Sequence, residues 1–102
     1  MNIMLACNAG MSTSMVVAKM IDAAKEQGKE YKIWAVEQGE IASEMGNFDV
    51  LLLGPQVRHI FRRVQKQVGV TAKVAMIDPV AYGRCDGAAV LKQAEDLMGG
   101  AQ

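Results

Sequence analysis

Apolar residues in this chain fall into two kinds of run: short unbroken stretches, and longer stretches in which they recur every three or four positions. Ile3 to Cys7 is an unbroken run without alternation, as expected for a strand covered on both faces. From Ser14 to Gln27 the pattern changes to helical spacing. Val17, Met20, Ile21 and Ala24 share one face, Lys19, Asp22, Lys25 and Glu26 take the others, and Gly28 stops the helix. Tyr31 to Glu37 reads as a second strand through Ile33, Trp34, Ala35 and Val36. Gly39 to Gly46 is long enough for a short helix with Ile41, Ala42 and Met45 inward. Phe48 to Leu53 is the most apolar strand and is expected to be central.

Gly54-Pro55-Gln56 then breaks the chain before a third helix. Val57, Ile60 or Phe61, Val64 and Val68 mark its buried face, Arg58, Arg62, Arg63 and Lys66 lie elsewhere, and Gly69 ends it. Lys73 to Ile77 is a fourth strand, followed by a loop from Asp78 to Cys85. Asp86 is the expected N-cap of a last helix with Val90, Leu91, Ala94, Leu97 and Met98 as its buried stripe. The order βαβαβαβα predicts one α/β domain over residues 1–102, with a four-stranded parallel sheet and helices on both faces. A flavodoxin-like strand order, 2-1-3-4, places the switch point between the first and third strands, where ligands bind beyond the carboxyl ends of the strands. Cys7, Gly54-Pro55-Gln56 and the Asp78 to Arg84 segment all meet at that edge.

Composition narrows the possible chemistry. The formal net charge of zero supplies no global field towards nucleic acid or an anionic membrane, so recognition must be local. No apolar segment approaches the roughly 20 residues that span a bilayer and no leader-like segment is evident, which predicts a cytosolic protein without direct membrane insertion. Two cysteines, Cys7 and Cys85, make no disulfide framework, and with a single histidine, His59, neither a metal site nor a cofactor is expected.

Attention therefore falls on Met4-Leu5-Ala6-Cys7-Asn8-Ala9-Gly10-Met11-Ser12-Thr13-Ser14, an apolar strand that ends on a thiol, opens into small residues and hydroxyls, and enters a helix. Free N–H groups of such a loop and helix start favour the thiolate over the thiol and can cradle a phosphoryl group. Cys7 is the candidate nucleophile. Asn8, Ala9, Gly10, Met11, Ser12, Thr13 and Ser14 are the candidate phosphate-binding residues, although the same hydroxyls can act simply as helix caps. Gln56, Asp78 and Tyr82 are candidates to line the site, with Arg84 a further neighbour. His59 and the basic residues Arg58, Arg62, Arg63 and Lys66 suit a solvated face, the basic residues also being able, with Met11, to meet an acidic rim on a partner.

The sequence from Cys7 to Ser14, together with Leu52-Leu53-Gly54-Pro55-Gln56 and the Asp78 to Gly83 loop, resembles the IIB component of the bacterial sugar phosphotransferase system, in its lactose/cellobiose/chitobiose branch. The resemblance implies a phosphoryl relay. A IIA component's phosphohistidine would phosphorylate Cys7, and the phosphocysteine would pass the group to a sugar of the cellobiose, chitobiose or lactose class held by the membrane IIC transporter. The fold also resembles low-molecular-weight tyrosine phosphatases and the arsenate reductases of that type, and an Asp-Pro pair at Asp78-Pro79 suits a phosphatase general acid. Those families carry an arginine six residues after the cysteine, where this chain has Thr13. Loss of that bidentate cation disfavours hydrolysis.

Overall fold

The computed structural model describes residues 1–8 and 11–99, with the backbone alone at positions 11 and 12. The four unbroken apolar runs form strands β1 (Asn2–Cys7), β2 (Lys32–Glu37), β3 (Val50–Leu53) and β4 (Lys73–Met76), paired in parallel in the order β2-β1-β3-β4. Leu5 lies opposite Ala35 on one side and Leu52 on the other, and Leu52 opposite Ala75. The expected 2-1-3-4 topology is therefore present, with β3 flanked on both sides.

Side chains alternate across the pleat, so each strand feeds two cores. Ile3, Leu5, Val50 and Leu52 face a layer formed by α1 (Met11–Glu26) and α4 (Gly87–Leu97), which contributes Val16, Val17, Met20, Ala24, Val90, Leu91 and Ala94. Met4, Ala6, Leu51 and Leu53 face Val57 and Ile60 of a 3-10 segment (Pro55–Ile60), Val64 and Val68 of α2 (Phe61–Val68), and Ile41 and Phe48. Burial on both faces is why β1 and β3 show no polar alternation. The helices of the first layer cross closely. A Cβ on Gly87 would lie 2.3 Å from the Lys19 carbonyl carbon and 2.4 Å from the Met20 nitrogen. Asp86 caps α4 as expected, accepting from the Ala89 N–H at 3.1 Å.

Five local readings change. Met98 lies just beyond α4 and is exposed, so the fully buried stripe of that helix ends at Ala94, with Leu97 partly covered. The first helix starts at Met11 rather than Ser14, so its first turn contains Ser12, Thr13 and Ser14. Hydroxyl residues are well tolerated there, because the first N–H groups lack intrahelical partners. Gln38–Glu40 and Ala42–Glu44 are two 3-10 turns in place of one short helix. Three residues per turn instead of 3.6 leaves Ile41 buried but turns Ala42 and Met45 outward. The third helix is split: Val57 has φ −121° and ψ 20°, and regular α geometry begins only at Phe61. Finally, the expected loop after β4 contains a short helix, α3 (Pro79–Gly83), started by Pro79 and by the Asp78 carboxylate accepting from the Val80 N–H at 3.0 Å.

Because the strands are parallel, their beginnings share one end of the molecule and their finishes the other. At the starting end the Asn2 N–H donates to Asp49 Oδ2 at 2.8 Å. Lys29 and the Tyr31 hydroxyl both donate to Glu95 Oε2, the latter at 2.7 Å. Burial pushes the Glu95 carboxyl up, but the hydrogen bonds from Lys29 and Tyr31 and the charges of Lys29 and Lys92 outweigh it and hold the group below its ordinary range. The hydrogen bond to Glu95, followed by burial and the carboxylate charge, raises the Tyr31 phenol.

Candidate functional site

Cys7 is the last residue of β1 and is only 2% exposed. A parallel strand whose neighbours also end here delivers several loops to one place, and the polar groups come from those loops. Asn8, next in the chain, accepts at Oδ1 from Gln38 Nε2 at 3.2 Å, so the turn after β2 holds the start of the thiol loop. Ala9 and Gly10, and the side chains of Met11 and Ser12, lie outside the described residues. The backbone of Met11 opens α1 four residues beyond the thiol.

Thr13 lies in the first turn of α1 and is buried, while Ser14 beside it is exposed. The Thr13 hydroxyl is 3.2 Å from the Tyr82 hydroxyl. Gln56 Nε2 donates to that same phenolic oxygen at 2.9 Å. Two of the expected lining residues are thus joined to one of the expected loop residues. Gly54 leaves room for the Gln56 amide: a Cβ there would sit 2.8 Å from Gln56 Oε1, and in ordinary contact, 3.6 Å, with Cys7 Cβ. A methyl at 54 would displace the amide while leaving Cys7 in place.

Asp78 is tied into the turn after β4. Its carboxylate is used to cap α3, and its N–H donates to Gln93 Oε1 at 2.9 Å, while Gln93 Nε2 donates to the Met76 carbonyl at 2.7 Å. The clamp from Gln93 on α4 fixes the turn after β4 and so the base of α3. His59, Arg58, Arg62, Arg63 and Lys66 are exposed along the 3-10 segment and α2. Arg84 lies apart from the polar group at the thiol, in a groove with Lys19, Asp22 and Glu26. Cys85 is half-buried against the first core, in a left-handed backbone conformation at φ 51°.

Sequence reasoning missed Gln38 and Gln93. Gln38 directly follows the carboxyl end of β2, and that position was the available signal for it. Glu37 was missed as well: it stands beside Cys7 in the β1–β2 register, with its side chain exposed.

What the arrangement can do chemically is limited. Cys7 ends β1 four residues before α1 opens, and among the described residues the side chains hydrogen-bonded to one another at that end of the sheet are amides and hydroxyls, with the Glu37 carboxylate beside Cys7 in the strand register. Such a set can bind and orient an anion by donation without fixing a countercharge.

Comparison with known proteins identifies the family. The model of a family described as PTS system, Lactose/Cellobiose specific IIB subunit matches residues 2–93. The PTS system oligo-beta-mannoside-specific EIIB component of Bacillus subtilis is 41% identical over 97 residues, covering 94% of each chain. The solution structure of the cellobiose-specific phosphotransferase IIB component from Borrelia burgdorferi is 34% identical, with a TM-score of 0.78 over 95% of this chain and 90% of that one. YwlE of Bacillus subtilis, an arginine phosphatase, shares the fold alone: 14% identity and a TM-score of 0.61 over 96% of this chain and 99% of that one.

Proposed function

The chain belongs to the lactose/cellobiose-specific IIB subunits of the PTS system, and on that premise we propose that residues 1–102 form one IIB domain that carries a phosphoryl group on Cys7. IIB components of this system transfer phosphoryl groups to sugars. The observation that carries the proposal for this chain is the position of Cys7 at the end of β1, four residues before α1 opens and at the end of the sheet where Thr13, Tyr82 and Gln56 are hydrogen-bonded.

In the first step a lone pair of the Cys7 thiolate attacks the phosphorus of a phosphohistidine on a IIA partner. The P–N bond breaks, its electron pair returns to the imidazole nitrogen, and that nitrogen takes up a proton, balancing the one the thiol has lost. In the second step a hydroxyl oxygen of a sugar held by the membrane IIC transporter attacks the same phosphorus. The P–S bond breaks, sulfur leaves as thiolate and the hydroxyl proton is released. Donors fixed around the equatorial oxygens and an in-line approach supply the stabilisation. The sugar is of the cellobiose, chitobiose or lactose class, and the domain works from the cytoplasm. Among the described residues no helix is long and apolar enough to cross a membrane.

A carrier must hold its thiophosphate until it meets an acceptor, so no base should activate water beside it. Asp78, the residue that a phosphatase mechanism would need as a proton donor, accepts through Oδ1 from the Val80 N–H as the cap of α3. Labelled phosphate from phosphorylated IIA is expected on the wild-type chain and absent from Cys7→Ser. An acid-labile label persisting on His59 in that variant would overturn the assignment. So would aryl phosphate turnover that depends on both Cys7 and Asp78.

A further inference from the structure

Thr13, at 1% exposure, is the one polar side chain counted among the buried residues of the described structure, and it stands in the first turn after the thiol loop. A buried hydroxyl needs partners, because desolvation without a hydrogen bond is costly. Its partner is the Tyr82 hydroxyl at 3.2 Å, and the oxygen of Tyr82 already accepts from Gln56 Nε2 at 2.9 Å. A phenol has one proton. Gln56 donates to the oxygen and so leaves the phenolic proton available to Thr13, whose own proton is then available to a ligand. The three residues form one hydrogen-bonded chain, Gln56 to Tyr82 to Thr13. Each comes from a different strand end: after β3, after β4 and after β1.

Tyr82 is well placed to hold this chain. Its ring packs against the first core, which fixes the hydroxyl from below, while Gln56 on the exposed side can only hold it. We propose that Tyr82 is a positioning residue of phosphoryl transfer: held by Gln56, it orients the Thr13 hydroxyl as a neutral donor to the phosphoryl group on Cys7. The proposal rests on the carrier reading above. Hydrogen bonds from a charged donor are roughly twice as strong as neutral ones. A neutral chain therefore stabilises the group in passage without retaining it as a guanidinium would, which suits a residue that must give its phosphate away.

The test is the rate at which phosphorylated IIA labels Cys7 in Tyr82→Phe, Thr13→Val, Thr13→Ser and the Tyr82→Phe/Thr13→Val double variant, each rate taken per folded molecule. Phenylalanine keeps the ring in the core, so the decisive variant retains its packing. Tyr82→Phe is expected to label about tenfold more slowly, Thr13→Val at least as slowly, and the double variant no more slowly than Thr13→Val alone. Thr13→Ser, which keeps the hydroxyl, should label near the wild-type rate. Labelling of Tyr82→Phe within about twofold of wild type would overturn the relay, as would losses that multiply in the double variant. The two readings fail differently. If wild type takes no label on Cys7, both fall; if wild type is labelled and Tyr82→Phe matches it, only the relay falls.

Discussion

Where the strands begin, Lys29, Tyr31 and Glu95 are joined by charge-assisted bonds between the end of α1, the approach to β2 and the end of α4, whereas at their finishes Asn8, Gln38, Thr13, Gln56 and Tyr82 are joined by amides and hydroxyls. Both sets span segments remote in sequence. The difference lies in the field each leaves behind. At the starting end the charges are satisfied within their own cluster. Among the described residues, the side chains bonded to one another at the thiol end are uncharged, and Glu37 adds a carboxylate beside Cys7 in the strand register. On the carrier reading, the first arrangement serves stability and the second serves exchange.

The largest effect should come from a position outside both sets. Gly87→Ala puts a methyl into the backbone of α1 at Lys19 and Met20, and should cost about 2–3 kcal/mol in urea unfolding. Labelling per folded molecule should be unchanged, showing that the α1–α4 contact supports the site only through the fold. Glu95→Gln at the starting end should cost about 1 kcal/mol at neutral pH. The wild-type contribution of Glu95 is present above the ordinary carboxylate range and is lost as pH falls through its lowered folded value, so the variant should lose part of that acid limb. The raised Tyr31 phenol acts at the alkaline side. Its contribution is full below the ordinary phenol value and lost as pH rises through the folded one, and Glu95→Gln should shrink that limb too.

At the thiol end the order of effects reverses. In Gly54→Ala the nearest obstacle is Gln56 Oε1, the tip of an exposed side chain that can move aside. Stability should fall by less than about 1 kcal/mol, yet labelling should slow about three- to tenfold as Gln56 leaves Tyr82. Gln38→Ala should be the mildest. Its bond to Asn8 is exposed, so unfolding should stay within about 0.5 kcal/mol of wild type and labelling within about threefold. A larger stability loss than rate loss in Gly54→Ala would erase the contrast between the two ends.

The sheet and its order were legible because unbroken apolar runs and helical spacing are direct products of burial on two faces and on one. The covering of the second face was less so. Val57, Ile60, Val64 and Val68 are spaced for an α-helix, but spacings of three and four residues also accommodate a 3-10 entry, and nothing in the apolar pattern marks the change at Val57. Asp78-Pro79 carries the cap and first-position proline of a helix, yet five residues are too few to show a period. At the site, the thiol and hydroxyls formed one continuous stretch and could be read directly. Which partner holds which residue was not legible: Asn8 meets Gln38 across 30 positions and Gln56 meets Tyr82 across 26, and such pairs exist only after the strands have aligned.

The bond between Thr13 and Tyr82 joins positions 69 apart in sequence. Closing so long a loop pays its entropy before any contact rewards it. The hydroxyl pair therefore exists only where the first helix and the segment beyond the last strand are both in place, and whatever loosens either end of the chain parts the two groups.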